Sequence, residues 1–148
     1  MISQTAEYAL RAIVFLAGQE GMPCTTAFIA EATRTPAGYL AKVMQSLCRA
    51  GLIVSRRGLN GGFLLKKSPE ELTILAIINA VDPIRRYPEC PIGIPSHGRR
   101  LCPLHSRLDE AAAMVEQAFG QTTVAEMLTV AQKHKSACRF PGVRSAPS

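Results

Sequence analysis

The run LIVSRRGLNGGFLL at residues 52–65 constrains the fold more than any other stretch of the chain. Two short apolar segments, Leu52-Ile53-Val54 and Phe63-Leu64-Leu65, flank Asn60-Gly61-Gly62, and glycine and asparagine tolerate positive φ, so the run predicts an antiparallel hairpin. Just upstream, Leu40, Val43, Met44 and Leu47 recur at helical spacing and predict a helix with one buried face. Gly51 supplies the left-handed cap that ends it. Thr35-Pro36 predicts its start, with the threonine hydroxyl accepting from an orphan amide and proline losing no bond in the first turn. The opposite face carries Ala37, Gly38, Ala41, Lys42 and Gln45. Small side chains and one cation suit a helix whose backbone approaches a phosphate-lined groove.

A helix over residues 27–32 is expected before this unit, opened by Thr25 or Thr26 and burying Phe28, Ile29 and Ala32. Thr26 stands where a helix N-terminus can touch phosphate. Another helix is expected over Gln4–Ala17, with Ser3 as its cap. Helix, turn, helix and hairpin together spell a winged helix-turn-helix. Downstream, Ser68-Pro69-Glu70-Glu71 is a capping box leading through Thr73 to a helix with Leu75, Ile77, Ile78 and Val81, which Asp82-Pro83 ends.

Residues 83–103 then hold five prolines and show no helical period. So long an irregular segment is uncommon without a purpose. It contains Cys90, His97 and Cys102, with His105 just beyond. From 103 to 119 helical spacing returns, and Leu101, Leu104, Leu108, Ala111, Val115 and Ala118 form a coiled-coil-like seam that must be buried against something. A twofold partner is the natural answer, because a dimer of readers mirrors a pseudo-palindromic site. Thr123-Val124-Ala125-Glu126 is a further capping box, opening a short helix to about residue 131. Beyond His134 the composition reads as a tail.

The chain of 148 residues carries a formal charge of +6. Residues 1–67 hold eight Lys or Arg against three Asp or Glu, and residues 68–148 nine against eight. The excess cation thus sits on the winged half, as expected of a surface that lies on a polyanion. No stretch reads as a membrane span or signal peptide. The five cysteines are an odd, scattered set, which suggests reduced thiols in a cytoplasmic protein. Cys24 and Cys48 read as small buried hydrophobes. No HExxH, phosphate-cradling glycine loop or nucleophile elbow points to an enzyme.

The run AGLIVSRRGLNGGFLL after a helix with Tyr39-Leu40, continued by SPEELTILAIINAVDP, resembles the Rrf-two family of bacterial winged-helix transcriptional regulators, of the IscR, NsrR and RirA type. The resemblance covers the chain up to about the tail. It implies a homodimer that binds a double-stranded DNA operator, with the arginine of the glycine-rich wing, here Arg57, entering the minor groove. It also implies a sensing loop before the dimer helix, where cluster-binding members carry three cysteines, the last followed closely by leucine and histidine. CPLH supplies Cys102 and His105 in that arrangement and Cys90 stands at the first position, whereas Ser96 and His97 occupy the region of the middle cysteine. An acidic residue before an aromatic one on the first helix reaches the partner's cofactor in several members, and Glu7 before Tyr8 matches it.

The expected architecture is therefore mainly α with a small β-wing: a winged helix-turn-helix DNA-binding domain at 1–82, a sensing loop at 83–102, a dimerisation helix region at 103–134 and a flexible tail at 135–148. The expected DNA-contacting residues are Thr26, Pro36, Ala37, Gly38, Tyr39, Lys42, Arg56, Arg57, Asn60 and Gly61. For Cys90, Cys102, His105, His97 and Glu7 three readings stand open. They hold a 2Fe-2S cluster, or the thiols and histidines bind zinc, or no metal binds and the thiols respond to oxidation or the loop to a small molecule.

Overall fold

The structure, a computed structural model, describes residues 1–133, without the side chains of His97, Ala131 and Gln132. The expected tail at 135–148, and Cys138 with it, lies outside the described residues.

Among the described residues six α-helices and one hairpin follow in the order α1 (Gln4–Ala17), α2 (Thr26–Thr33), α3 (Ala37–Arg49), β1 (Ile53–Arg56), β2 (Gly62–Leu65), α4 (Ile74–Val81), α5 (Pro103–Gln121) and α6 (Val124–Lys133). The core is built where the apolar stripes of α1, α2, α3 and α4 meet: Ala9, Ile13, Phe15, Leu16, Ile29, Leu40, Val43, Met44, Leu47 and Ile77 are buried together. Each α3 residue expected to face inward does so. Ser3 caps α1 by accepting from the Ala6 amide.

Of the two threonines expected to open α2, Thr25 is the cap, its hydroxyl accepting from the Phe28 amide at 3.2 Å. Two local expectations are corrected. Phe28 is 44 % exposed and rests edge-on against Phe15 at 5.6 Å instead of entering the core. Thr35 does not cap α3. Its hydroxyl is buried 3.0 Å from that of Thr33, which donates to the Ile29 carbonyl, so Pro36 is left as the N-cap without a side-chain hydrogen bond.

After α3, Gly51 takes φ +73° and the Leu52 amide returns to the Leu47 carbonyl, the wrapped C-terminus expected there. The hairpin pairs Ile53 with Leu65, Val54 with Leu64, Ser55 with Phe63 and Arg56 with Gly62. Positive φ falls on Gly58 and Gly62, not on Asn60. Gly62 also lies against the chain before α2: a Cβ there would sit 2.5 Å from the Cys24 backbone, because Cys24 and Phe63 exchange both backbone hydrogen bonds. The wing is thereby stitched to the approach to α2.

Thr73 caps α4 through the Ala76 amide. Thr123 and Glu126 satisfy each other's amides at 3.2 Å, the reciprocal box read from the sequence. The α6 helix returns to the winged unit: Val124 is buried in its core, Met127 and Leu128 pack on it, and the amides of Ile74 and Val124 bond to the carbonyls of Thr122 and Leu72. The α5 helix differs, burying none of its residues against the rest of the described chain.

Candidate DNA-reading face and thiol–imidazole site

Two groups of side chains carry the chemistry. The first is the outer surface of α3 and the wing. Pro36, Ala37, Gly38, Tyr39, Lys42, Arg56, Arg57 and Asn60 are exposed, while Thr26 and Gly61 are half-buried. Nothing lies within 4 Å of where a Cβ on Gly38 would point, so packing does not require a glycine there. Gly61, in contrast, has no room for a side chain, because a Cβ there would run into the carbonyl oxygens of Arg56 and Gly58.

Tyr39 is held from behind. Its hydroxyl lies 2.6 Å from Thr5 Oγ1 and its ring meets Tyr8 edge-on at 5.5 Å. Arg11 extends this contact: it stacks 5.6 Å from the Tyr8 ring centre, pairs with Glu7, and donates to the Thr33 carbonyl at the end of α2. Thus α1 supports the turn between α2 and α3. No motif announced Thr5 or Arg11, although both share with Tyr8 one helical face at spacings of three.

The second group sits where the loop at 83–102 meets α5. Cys90 is buried, Cys102 and His105 are half-buried, and the two sulfurs and an imidazole nitrogen lie within 4.8 Å of one another. His105 Nδ1 is 3.1 Å from Cys102 Sγ and 3.8 Å from Cys90 Sγ. The residue spacing explains the closer pair, since Cys102 is the N-cap of α5 and His105 is in its first turn. Glu7 does not join this group within one chain; its carboxylate is on Arg11. The His97 side chain lies outside the described structure, although its backbone forms a short 3-10 turn, Pro95–His97.

The loop is fastened to α5 by residues that no motif announced. Arg86 donates from Nε and Nη2 to the two oxygens of Asp109, each at 2.8 Å, and from Nη1 to Glu116 at 2.6 Å. The Tyr87 amide adds a third bond to Asp109, and the Tyr87 ring lies 5.1 Å from that of His105. The Arg86 fork, then the Tyr87 amide, hold the Asp109 carboxyl down at about 2, and the bonds to Asp109 and Glu116 raise the Arg86 guanidinium further. The one available signal was spacing: His105, Asp109, Ala112 and Glu116 fall on one stripe of α5. Elsewhere, burial pushes the Cys24 and Cys48 thiols up, away from the thiolate form.

Two soft thiols and an imidazole suit a metal centre, since iron–sulfur and zinc sites both use such donors. All three donor atoms lie within 4.8 Å of one another, so a single metal ion could touch all three and would need a fourth ligand to complete a tetrahedron.

A helix-turn-helix with a glycine-rich wing, a basic outer face and an appended long helix defines the class of winged-helix transcriptional regulators. Comparison with known proteins narrows that class. The model of the Rrf2 family, described as an iron-dependent transcriptional regulator, matches residues 2–130. An HTH-type transcriptional regulator of Aquifex aeolicus is 30 % identical over 137 residues, spanning 90 % of this chain and 95 % of the relative. The regulator IscR of Serratia proteamaculans is 30 % identical over 129 residues, spanning 86 % and 78 %. In fold, the chain is similar to the solved T. potens IscR, with a TM-score of 0.75 at 24 % identity, covering 95 % of this chain and 94 % of that one. This chain belongs to the Rrf2 family of transcriptional regulators, and its relatives there are not enzymes.

Proposed function

We propose that the chain works as a cytoplasmic homodimer that reads a pseudo-palindromic operator and that the Cys90–Cys102–His105 group controls it. The observation that carries the DNA half is the exposed, small-residue face of α3 beside a cationic wing. Gly38, in the first turn of α3, is not required by packing within the chain and leaves room for a duplex to approach closely. Ala37, Gly38, Tyr39 and Lys42 then face the major groove, with Pro36 at the entrance. Tyr39 accepts from Thr5 and donates to a phosphate, so the two hydroxyls act in series. Thr26, Arg56, Lys66, Asn60 and Gly61 serve the backbone, and Arg57 enters an A·T-rich minor groove, where the negative potential is strongest.

Dimerisation is supported by the seam of α5. Leu104 and Leu108 remain 62 % and 44 % exposed, and Leu108 and Val115 line an open cleft of about 530 Å³ shared with Ile2 and Ile78. A second α5 covers these groups and sets the spacing of the two α3 helices.

In the control site Cys90, Cys102 and His105 would hold a 2Fe-2S cluster, with His97 or the partner's Glu7 completing the set, and the cluster supplies sensitivity to oxidation and loss of iron. The closeness of Cys90, Cys102 and His105 also supports a second reading, a single zinc ion held by the two thiols and two histidines, His105 and His97. Either ligand acts by binding DNA-competent and incompetent dimers with different affinity.

Mobility shifts across salt concentrations test the reader. Arg57→Ala is expected to lower operator affinity about tenfold and to flatten the preference for A·T flanks. A uniform loss across flank variants would remove Arg57 from the minor groove. Protein purified without oxygen tests the sensor. Brown protein whose visible absorption is lost in Cys90→Ala and Cys102→Ala favours the cluster, and colourless protein with stoichiometric zinc favours the single ion.

A further inference from the structure

The thiol–imidazole group depends on a loop that has little regular structure of its own. Residues 83–102 leave α4 at Asp82 and must bring Cys90 back to the first turn of α5. Closing such a segment is opposed by chain entropy, and that cost falls when a point within it is fixed. A charge-assisted fixing point lies four residues before Cys90, where Arg86 pairs with two carboxylates of α5.

We infer that Arg86 is the positioning residue of the Cys90–Cys102–His105 site, an inference that deepens the metal-centre reading above. Its guanidinium spans Asp109 and Glu116, two turns apart on the stripe of α5 that begins with His105. Both carboxylates are largely covered, with side chains 20 % and 27 % exposed, against 41 % for Arg86. The fork geometry fixes orientation as well as distance, because a planar guanidinium bonds both oxygens of Asp109 at once.

The effect runs along the chain in two steps. Asp109 also takes the Tyr87 amide, so the backbone at 86–87 is laid flat on α5. The Tyr87 ring is then delivered against the His105 imidazole, with Arg85 stacked 5.1 Å from that ring. A wall formed by Tyr87 restricts how the imidazole can turn, and its Nδ1 is kept facing the two sulfurs. Outer groups that orient a ligating histidine are worth about 10–100-fold in metal affinity. Here the orienting is done by the tilted ring contact of Tyr87 with His105, and Arg86 sets where Tyr87 lies.

The test pairs a metal readout with one that needs no metal. Zinc affinity of the full chain is measured by competition with a chromophoric chelator, and hydrogen exchange of the metal-free protein is followed over residues 84–90. Arg86→Gln is expected to weaken zinc about 10–100-fold and to speed exchange at the Tyr87 amide. Arg86→Lys keeps the charge without the fork and should recover only part of both effects. Cys102→Ala should weaken zinc while leaving the Tyr87 amide protected. Unchanged exchange in Arg86→Gln, or zinc affinity within about twofold of the wild type while Cys102→Ala loses it, would overturn the role of Arg86. A wild-type protein that takes no zinc under these conditions removes the zinc reading alone, and the exchange measurement still decides whether Arg86 sets the loop.

Discussion

Gly62 shows how much a single missing side chain can do in this protein. Its φ of +148° is open to glycine, and the Cys24 backbone occupies the place of any Cβ, so Gly62→Ala must push the wing from the approach to α2. A loss of about 2–3 kcal/mol is expected in a urea titration, with the wing affected first. Asp109 acts through charge instead. A carboxylate whose folded value is depressed to about 2 from an ordinary 3.8 lends stability that is complete above the ordinary value and fades only as pH falls toward about 2. The Arg86–Asp109 tie should therefore be unchanged from neutral pH down to about pH 5, and an NMR titration of the Asp109 carboxyl checks this directly. The sequence could name the metal-site candidates by residue type, yet it could not name Arg86 or Asp109. They are 23 positions apart, and charged residues on a helix face are ordinarily only solvated.

At the scale of elements, the α3 helix was legible because its buried stripe and its closing Gly51 are local signals, and local signals were honoured. Its beginning was not. Thr35 turned inward to Thr33 in the gap between two helices, a choice decided by tertiary burial and invisible to a capping rule. Phe28 failed for a related reason, since an apolar residue near a short helix's start had an aromatic neighbour to lean on without entering the core. The box at Thr123 and Glu126 succeeded because both halves lie within one turn. Thr123→Ala removes the side-chain half of that box and is expected to cost about 1 kcal/mol, read as a lower urea midpoint with an unchanged slope.

For the whole molecule the division of labour is between a packed winged unit and a long helix that shares little of its core. Composition placed the positive charge on the winged half, and the α5 seam announced an apolar surface, of which Leu104 and Leu108 stay exposed among the described residues. Replacing Leu108 with Glu should leave the winged unit folded, as followed by circular dichroism, while sedimentation shifts toward the monomer and operator affinity drops with it. What the seam could not foretell is the fate of the chain after it. Val124 enters the core, α6 lies against α1, and the bonds from Ile74 to Thr122 and from Val124 to Leu72 sew the far end of α5 in place. Among the described residues the backbone bonds fix α5 at its far end alone, whereas its Cys102 end is tied only to a loop. In the proposed dimer a change at Cys102 would therefore act on the looser end of the lever, with the fixed end as its fulcrum.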